Sequence, residues 1–138
     1  MRRRLFPIIV LAVLATPALA QEGAPAAVGQ YVDVSPVAVP VVDGGRLRNY
    51  VFVNLRLTLA RGVDNQKLRA KEPYFRDALV RTSHRTPFTI PGNWSAIDQQ
   101  ALRNAMWRQA TAIAGPGVIT NVLITQATPQ RRLAAPHR

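Results

Sequence analysis

Cysteine is absent from the 138 residues, and histidine occurs only as His84 and His137. Without cysteine, disulfide scaffolds, Cys-based zinc sites and thiol catalysis are excluded together. Two histidines leave too little for a metal cluster or a histidine-dependent triad. Acidic residues are scarce, 7 Asp+Glu against 18 Lys+Arg, for a formal net charge of +11. Lysine is scarce too: Lys67 and Lys71 stand alone, and every other basic residue is arginine. Aromatic residues make up 7%, and no helix-turn-helix or aromatic-rich RNA-binding pattern accompanies the scattered arginines. Nucleic acid is therefore not the expected partner. What the chain does hold is 48% hydrophobic residues, enough for a packed core and too many for a disordered polyelectrolyte. The length fits one domain.

Only one long apolar run occurs. Arg2-Arg3-Arg4 precede Leu5 to Ala20, which ends Ala18-Leu19-Ala20 before Gln21-Glu22. This is a positive n-region, an apolar h-region and a small-x-small cleavage site. At ~1.5 Å per residue the run reaches roughly 24 Å, short of a ~30 Å hydrocarbon core, and Pro17 interrupts it. Residues 1–20 are expected to be a signal peptide cut after Ala20, giving a periplasmic protein; the alternative is an uncleaved anchor in the inner membrane. The three arginines suit the general secretory and the twin-arginine routes alike.

Residues 21–29, rich in Ala, Gly and Pro, read as a flexible leader. From Tyr31 to Val42 apolar residues nearly alternate, interrupted by Pro36 and Pro40, which predicts short or edge strands. Asp43-Gly44-Gly45 reads as a hairpin turn. From Leu47 to Leu59 the odd positions are largely aliphatic and the even ones mixed, predicting one long strand packed on helices on one side. Asp64 or Asn65 is placed to cap a helix through Leu68, and Pro73 to open a second segment. In that segment Phe75, Ala78, Leu79 and Thr82 share one face.

Residues 86–93 predict a loop or short strand. Ser95 to Asp98 resembles a capping box, opening a helix whose apolar stripe is Leu102, Ala105, Met106, Gln109, Ala112 and Ile113. Gly115-Pro116-Gly117 ends that helix. Val118 to Thr125 is apolar on both faces, which predicts a central strand, stopped by Pro129. The predicted order is β-β-β-α-α-β: an α+β domain, a mainly antiparallel sheet with two helices packed on one face. It spans residues 30–128, followed by a basic tail, 129–138.

No catalytic kit is complete. Gly44-Gly45 and Gly115-Pro116-Gly117 lack the Lys-Ser/Thr of a phosphate loop, and no Gly-x-Ser-x-Gly elbow occurs. Ser83 and His84 are neighbours on opposite sides of a helix end. The carboxylates sit mostly at turns and helix starts, where capping accounts for them. Trp94 and Trp107 are residues that line sugar grooves elsewhere, but packing at the core or its flank is the expected role of Trp107. The expectation is a protein without catalytic residues, cofactor or metal.

Three stretches resemble the FliL family of flagellar basal-body-associated proteins: Arg48-Asn49-Tyr50-Val51 at the start of the long strand, Pro73 to Val80 with its Arg76-Asp77, and Gly115 to Thr125. Their order and spacing are similar to the family's across residues 31–126. The resemblance implies a stomatin-like α+β domain that assembles around the flagellar stator, with protein partners, self-association into an oligomer, proximity to the membrane and no catalysis. In this chain a cleavable signal and a short leader stand where the family carries a membrane helix and a long linker. The alternative from the charge is a basic protein held to peptidoglycan or anionic lipid, and a further one a small periplasmic hydrolase working through paired carboxylates.

Overall fold

The computed structural model describes residues 29–131. The expected signal peptide, its cleavage after Ala20, the leader up to residue 28 and the tail from 132 onward lie outside the described residues.

Strands β1 (Tyr31–Asp43) and β2 (Arg46–Leu59) form an antiparallel hairpin. Gly44 and Gly45 turn it with φ of 59° and 72°, the left-handed pair that a two-residue hairpin loop requires and that glycine adopts without a Cβ clash. Pro36 does not break β1. It lies in a bulge between Val34 and Val37, where Ser35 and Pro36 together face Asn54, so the missing N–H costs the ladder nothing. Pro40 stays in register opposite Tyr50. β1 is thus an edge strand, as one of the two expectations had it, and is one continuous strand rather than short pieces.

The chain then folds into α1 (Asn65–Ala70) and α2 (Glu72–Arg85). The Asp64 carboxylate caps α1, accepting from the backbone N–H of Gln66 at 3.0 Å and Lys67 at 3.3 Å. Pro73 sits in the first turn of α2, where its absent N–H has no intrahelical partner to lose. Residues 86–98 hold a small hairpin, β3 (Thr89–Ile90) and β4 (Asn93–Ile97). Helix α3 (Gln99–Ala114) follows, then β5 (Ile119–Pro129).

Two details differ from the sequence expectation. Ser95 does not cap α3, because its backbone belongs to β4; Asp98 is the cap, accepting from Ala101 N–H at 3.0 Å. The strand continues to Ile97, which is buried, so the helix starts three residues later. The second difference is β5, which lies at the sheet edge. The order is β1-β2-β5, all antiparallel, with β2 central. Bulges at Thr120 and Thr125 shift the alternation of β5 twice, and each bulged threonine donates its hydroxyl to a β2 carbonyl, of Thr58 and Asn54 respectively, at 3.3 Å. Ile119 and Val122 therefore share the buried face although three residues apart, and Leu123 is left outside. The strand also runs through Pro129, and Gln130 N–H donates to Tyr50 C=O at 2.8 Å.

The core lies on one side of the sheet. Val51, Val53, Leu55, Leu57 and Leu59 of β2 are all buried there, together with alternate valines of β1. Phe75, Ala78 and Leu79 of α2 and Leu102, Ala105, Met106 and Ala110 of α3 close over them. The molecule is an α+β domain, an antiparallel sheet with helices packed on one face.

Candidate functional site

Among the described residues, no helix packs on the second face of the sheet. Its centre is the even row of β2, from Tyr50 through Phe52, Asn54 and Arg56 to Thr58. Across the strands Phe52 stands between Ala38 and Thr128, and Arg56 between Asp33 and Leu123. Phe52 is 43% exposed and Leu123 39% exposed, two large apolar side chains at separate positions on this face.

Arg56 organises one end. Its Nε donates to Asp33 Oδ1 at 2.7 Å and its Nη2 to Oδ2 at 3.1 Å, a bidentate pair between directly opposed residues. The guanidinium also lies 3.8 Å from the centre of the Tyr31 ring. The Asp33 hydrogen bond, with the attraction of the same carboxylate, raises the Arg56 pKa above its ordinary value against an opposing effect of desolvation. Beside this cluster the β1 bulge and the Thr125 bulge of β5 fall at the same level of the sheet. Between them is a shallow hollow of about 320 Å³, lined among others by Ser35, Pro36, Asn54 and Arg56.

The two sheet edges are unlike. On β1, Ser35 N–H donates to Glu72 Oε1 at 2.9 Å, and Thr89 Oγ1 both accepts from Val42 N–H at 3.0 Å and donates to Val42 C=O at 2.7 Å. With Pro36 and Pro40 these contacts close β1 to a further strand. β5 has β2 on one side and no strand on the other among the described residues.

The residues singled out in the sequence fall into structural roles. Ser83 and His84 do not point apart as expected: buried Ser83 donates to Val80 C=O at 2.9 Å, and exposed His84 reaches the same carbonyl through Nδ1 at 2.8 Å. Trp94 locks the small hairpin onto the large one. Its indole N–H donates to Asp43 Oδ2 at 3.0 Å, and Arg48 stacks at 4.8 Å from its ring centre. The described carboxylates have structural partners: Asp64 and Asp98 cap helices, Asp33 and Asp77 pair with Arg56 and Arg81, and Glu72 holds Ser35; Asp33 and Glu72 line one hollow together with Arg69. No three of His, Cys, Asp and Glu gather into a possible metal site among the described residues.

Sequence reasoning missed the Tyr31–Asp33–Arg56 cluster. The signal available was the placement of Arg56 on the mixed face of the long strand; its partner depends on the β1 register, which the proline bulge resets. No helix among the described residues is long and apolar enough to cross a membrane. Compared with known proteins, the chain matches no protein-family model and no curated protein.

Proposed function

We propose that the protein is a non-catalytic interaction domain of the periplasm, with the FliL-like task of binding protein partners at the flagellar stator or basal body, or further copies of itself. The observation that carries this reading is the sheet face that no helix covers among the described residues, with Leu123 exposed across from Arg56 and Phe52 exposed farther along β2. A sheet face of this kind offers apolar area to bury and fixed polar groups to set register, which is the anatomy of a protein-protein contact. The β5 edge adds backbone groups for strand addition. The three FliL-like stretches support the same reading, falling on β2, on α2 and on the turn into β5.

Binding through buried surface resists salt, whereas diffuse arginine charge is screened within ~8 Å at physiological ionic strength. The test is retention of the protein in an envelope or basal-body fraction washed at about 0.3 M salt, a regime in which screening is shorter still. Retention is expected to persist, and to persist after removal of residues 132–138. Quantitative release by salt, or loss of retention on truncation, would replace this function with charge-held binding to peptidoglycan or anionic lipid.

A further inference from the structure

Helix α3 carries a surface that the sheet face does not account for. Its sixteen residues, Gln99–Ala114, include no Asp or Glu. Leu102, Ala105, Met106 and Ala110 fasten one side into the core. On the outer side Gln100, Arg103, Asn104, Trp107 and Arg108 recur at helical spacing, so they form one stripe on a rigid support.

A cleft of about 220 Å³ lies between this stripe and β5, lined by Gln100, Arg103, Asn104, Trp107, Asn121 and Val122. Trp107 is 41% exposed. Unlike Trp94, it has no hydrogen-bond partner for its indole N–H among the described residues. The polar side chains beside it are already ordered: Arg103 Nη2 donates to Gln100 Oε1, and Gln100 Nε2 donates to Asn104 Oδ1 at 3.0 Å. Arg103 Nε is buried without an acceptor, a cost that a small turn of the guanidinium toward a ligand oxygen would remove.

On the other flank of α3 a groove of about 420 Å³ runs toward the end of α2, with Arg85 and Arg108 above an apolar floor of Phe88 and Ala105. Among the described residues no carboxylate lines it, and neither arginine is in a salt bridge. Asn104 lines both hollows.

We propose that this face binds an acidic oligosaccharide, with one pyranose ring against Trp107 and acidic groups on Arg85 and Arg108. The negative face of an indole attracts the C–H face of a sugar ring. Carboxamides offer donor and acceptor side by side, which matches neighbouring hydroxyls. The uncompensated arginines select for carboxylate or phosphate on the same strand. A cleft of this volume suits one ring rather than a drug-sized ligand. The proposal stands independently of the flagellar role.

Isothermal titration of the purified protein with a uronate tetramer, neutral chitotetraose and inorganic polyphosphate tests it. The uronate is expected to bind tightest and chitotetraose more weakly. Trp107→Ala should lower uronate affinity at least about tenfold at an unchanged melting temperature. Arg85→Gln with Arg108→Gln should abolish the preference for uronate over chitotetraose. Asn121→Asp, a near-isosteric change that adds a repelling carboxylate to the cleft, should weaken uronate binding if Trp107→Ala proves poorly folded. Polyphosphate binding as tightly as uronate, indifference of folded Trp107→Ala or of Asn121→Asp, or no binding of either sugar overturns the proposal.

Discussion

The two faces of β2 are built from alternate residues of one strand and meet different demands. Val51, Val53, Leu55, Leu57 and Leu59 are sealed beneath α2 and α3, while Phe52, Asn54, Arg56 and Thr58 face outward under no helix among the described residues. On the inner face every side chain is fixed by close packing, so its identity is dictated by volume and shape. On the outer face the fold asks little beyond β propensity, and an exposed phenylalanine beside a bidentate Arg–Asp pair is free to serve a partner. The edges repeat the contrast, β1 being closed by Glu72, Thr89 and two prolines and β5 having, among the described residues, one side without a strand.

Substitutions that break the inner face should cost most. Leu55→Ala removes a fully buried side chain at the centre of the sheet and is expected to cost about 2–5 kcal/mol in a denaturant titration. Next is the closed edge. Thr89→Val deletes both bonds to Val42 and leaves a part-buried N–H and C=O unpartnered, an expected loss of about 1–3 kcal/mol at nearly constant side-chain volume. Its slope with denaturant should match the wild type, since the surface exposed on unfolding is the same.

Smaller again is Arg56→Ala, which should shift the unfolding midpoint by a minor fraction of the Leu55→Ala shift because the Arg56–Asp33 pair is open to solvent. The pH dependence has a definite sign. Asp33 raises the Arg56 pKa, so the guanidinium's share of stability is fully present below its ordinary pKa and is lost only as pH rises through the folded value. Wild type and Arg56→Ala melting temperatures compared between neutral and mildly alkaline pH should therefore keep a constant difference, with no loss assignable to this guanidinium. Comparable destabilisation by Leu55→Ala and Arg56→Ala would erase the distinction between the faces.

Much of this contrast was legible in the sequence, and the reasons are local. The period of two from Val51 to Leu59 needs no tertiary information, and Gly44-Gly45 fixes the hairpin register at its tip. The sites of α1 and α2 follow from Asp64 and Pro73, whose chemistry acts within one helical turn. Misplacement began where a long-range pairing overrode a local pattern. Ser95-x-x-Asp98 is a sound helix start until the β3–β4 hairpin claims Ser95. β5 looked apolar on both faces because its two bulges are invisible to simple alternation, and each needs the facing carbonyl of β2 to settle it. The two tryptophans show the same limit: only the fold distinguishes Trp94, tied to Asp43, from Trp107, half-exposed at the flank of α3.

The most direct measurement concerns the outer face alone. In the double variant Phe52→Arg, Leu123→Glu both changes fall on exposed positions, and the glutamate faces Arg56 across the strands, so its unfolding free energy should stay within about ±0.5 kcal/mol of wild type. Its retention in the salt-washed envelope fraction should nevertheless be lost, because two charges now stand where apolar surface has to be buried against a partner. Undiminished retention of the folded double variant would contradict the assignment of this sheet face to partner binding.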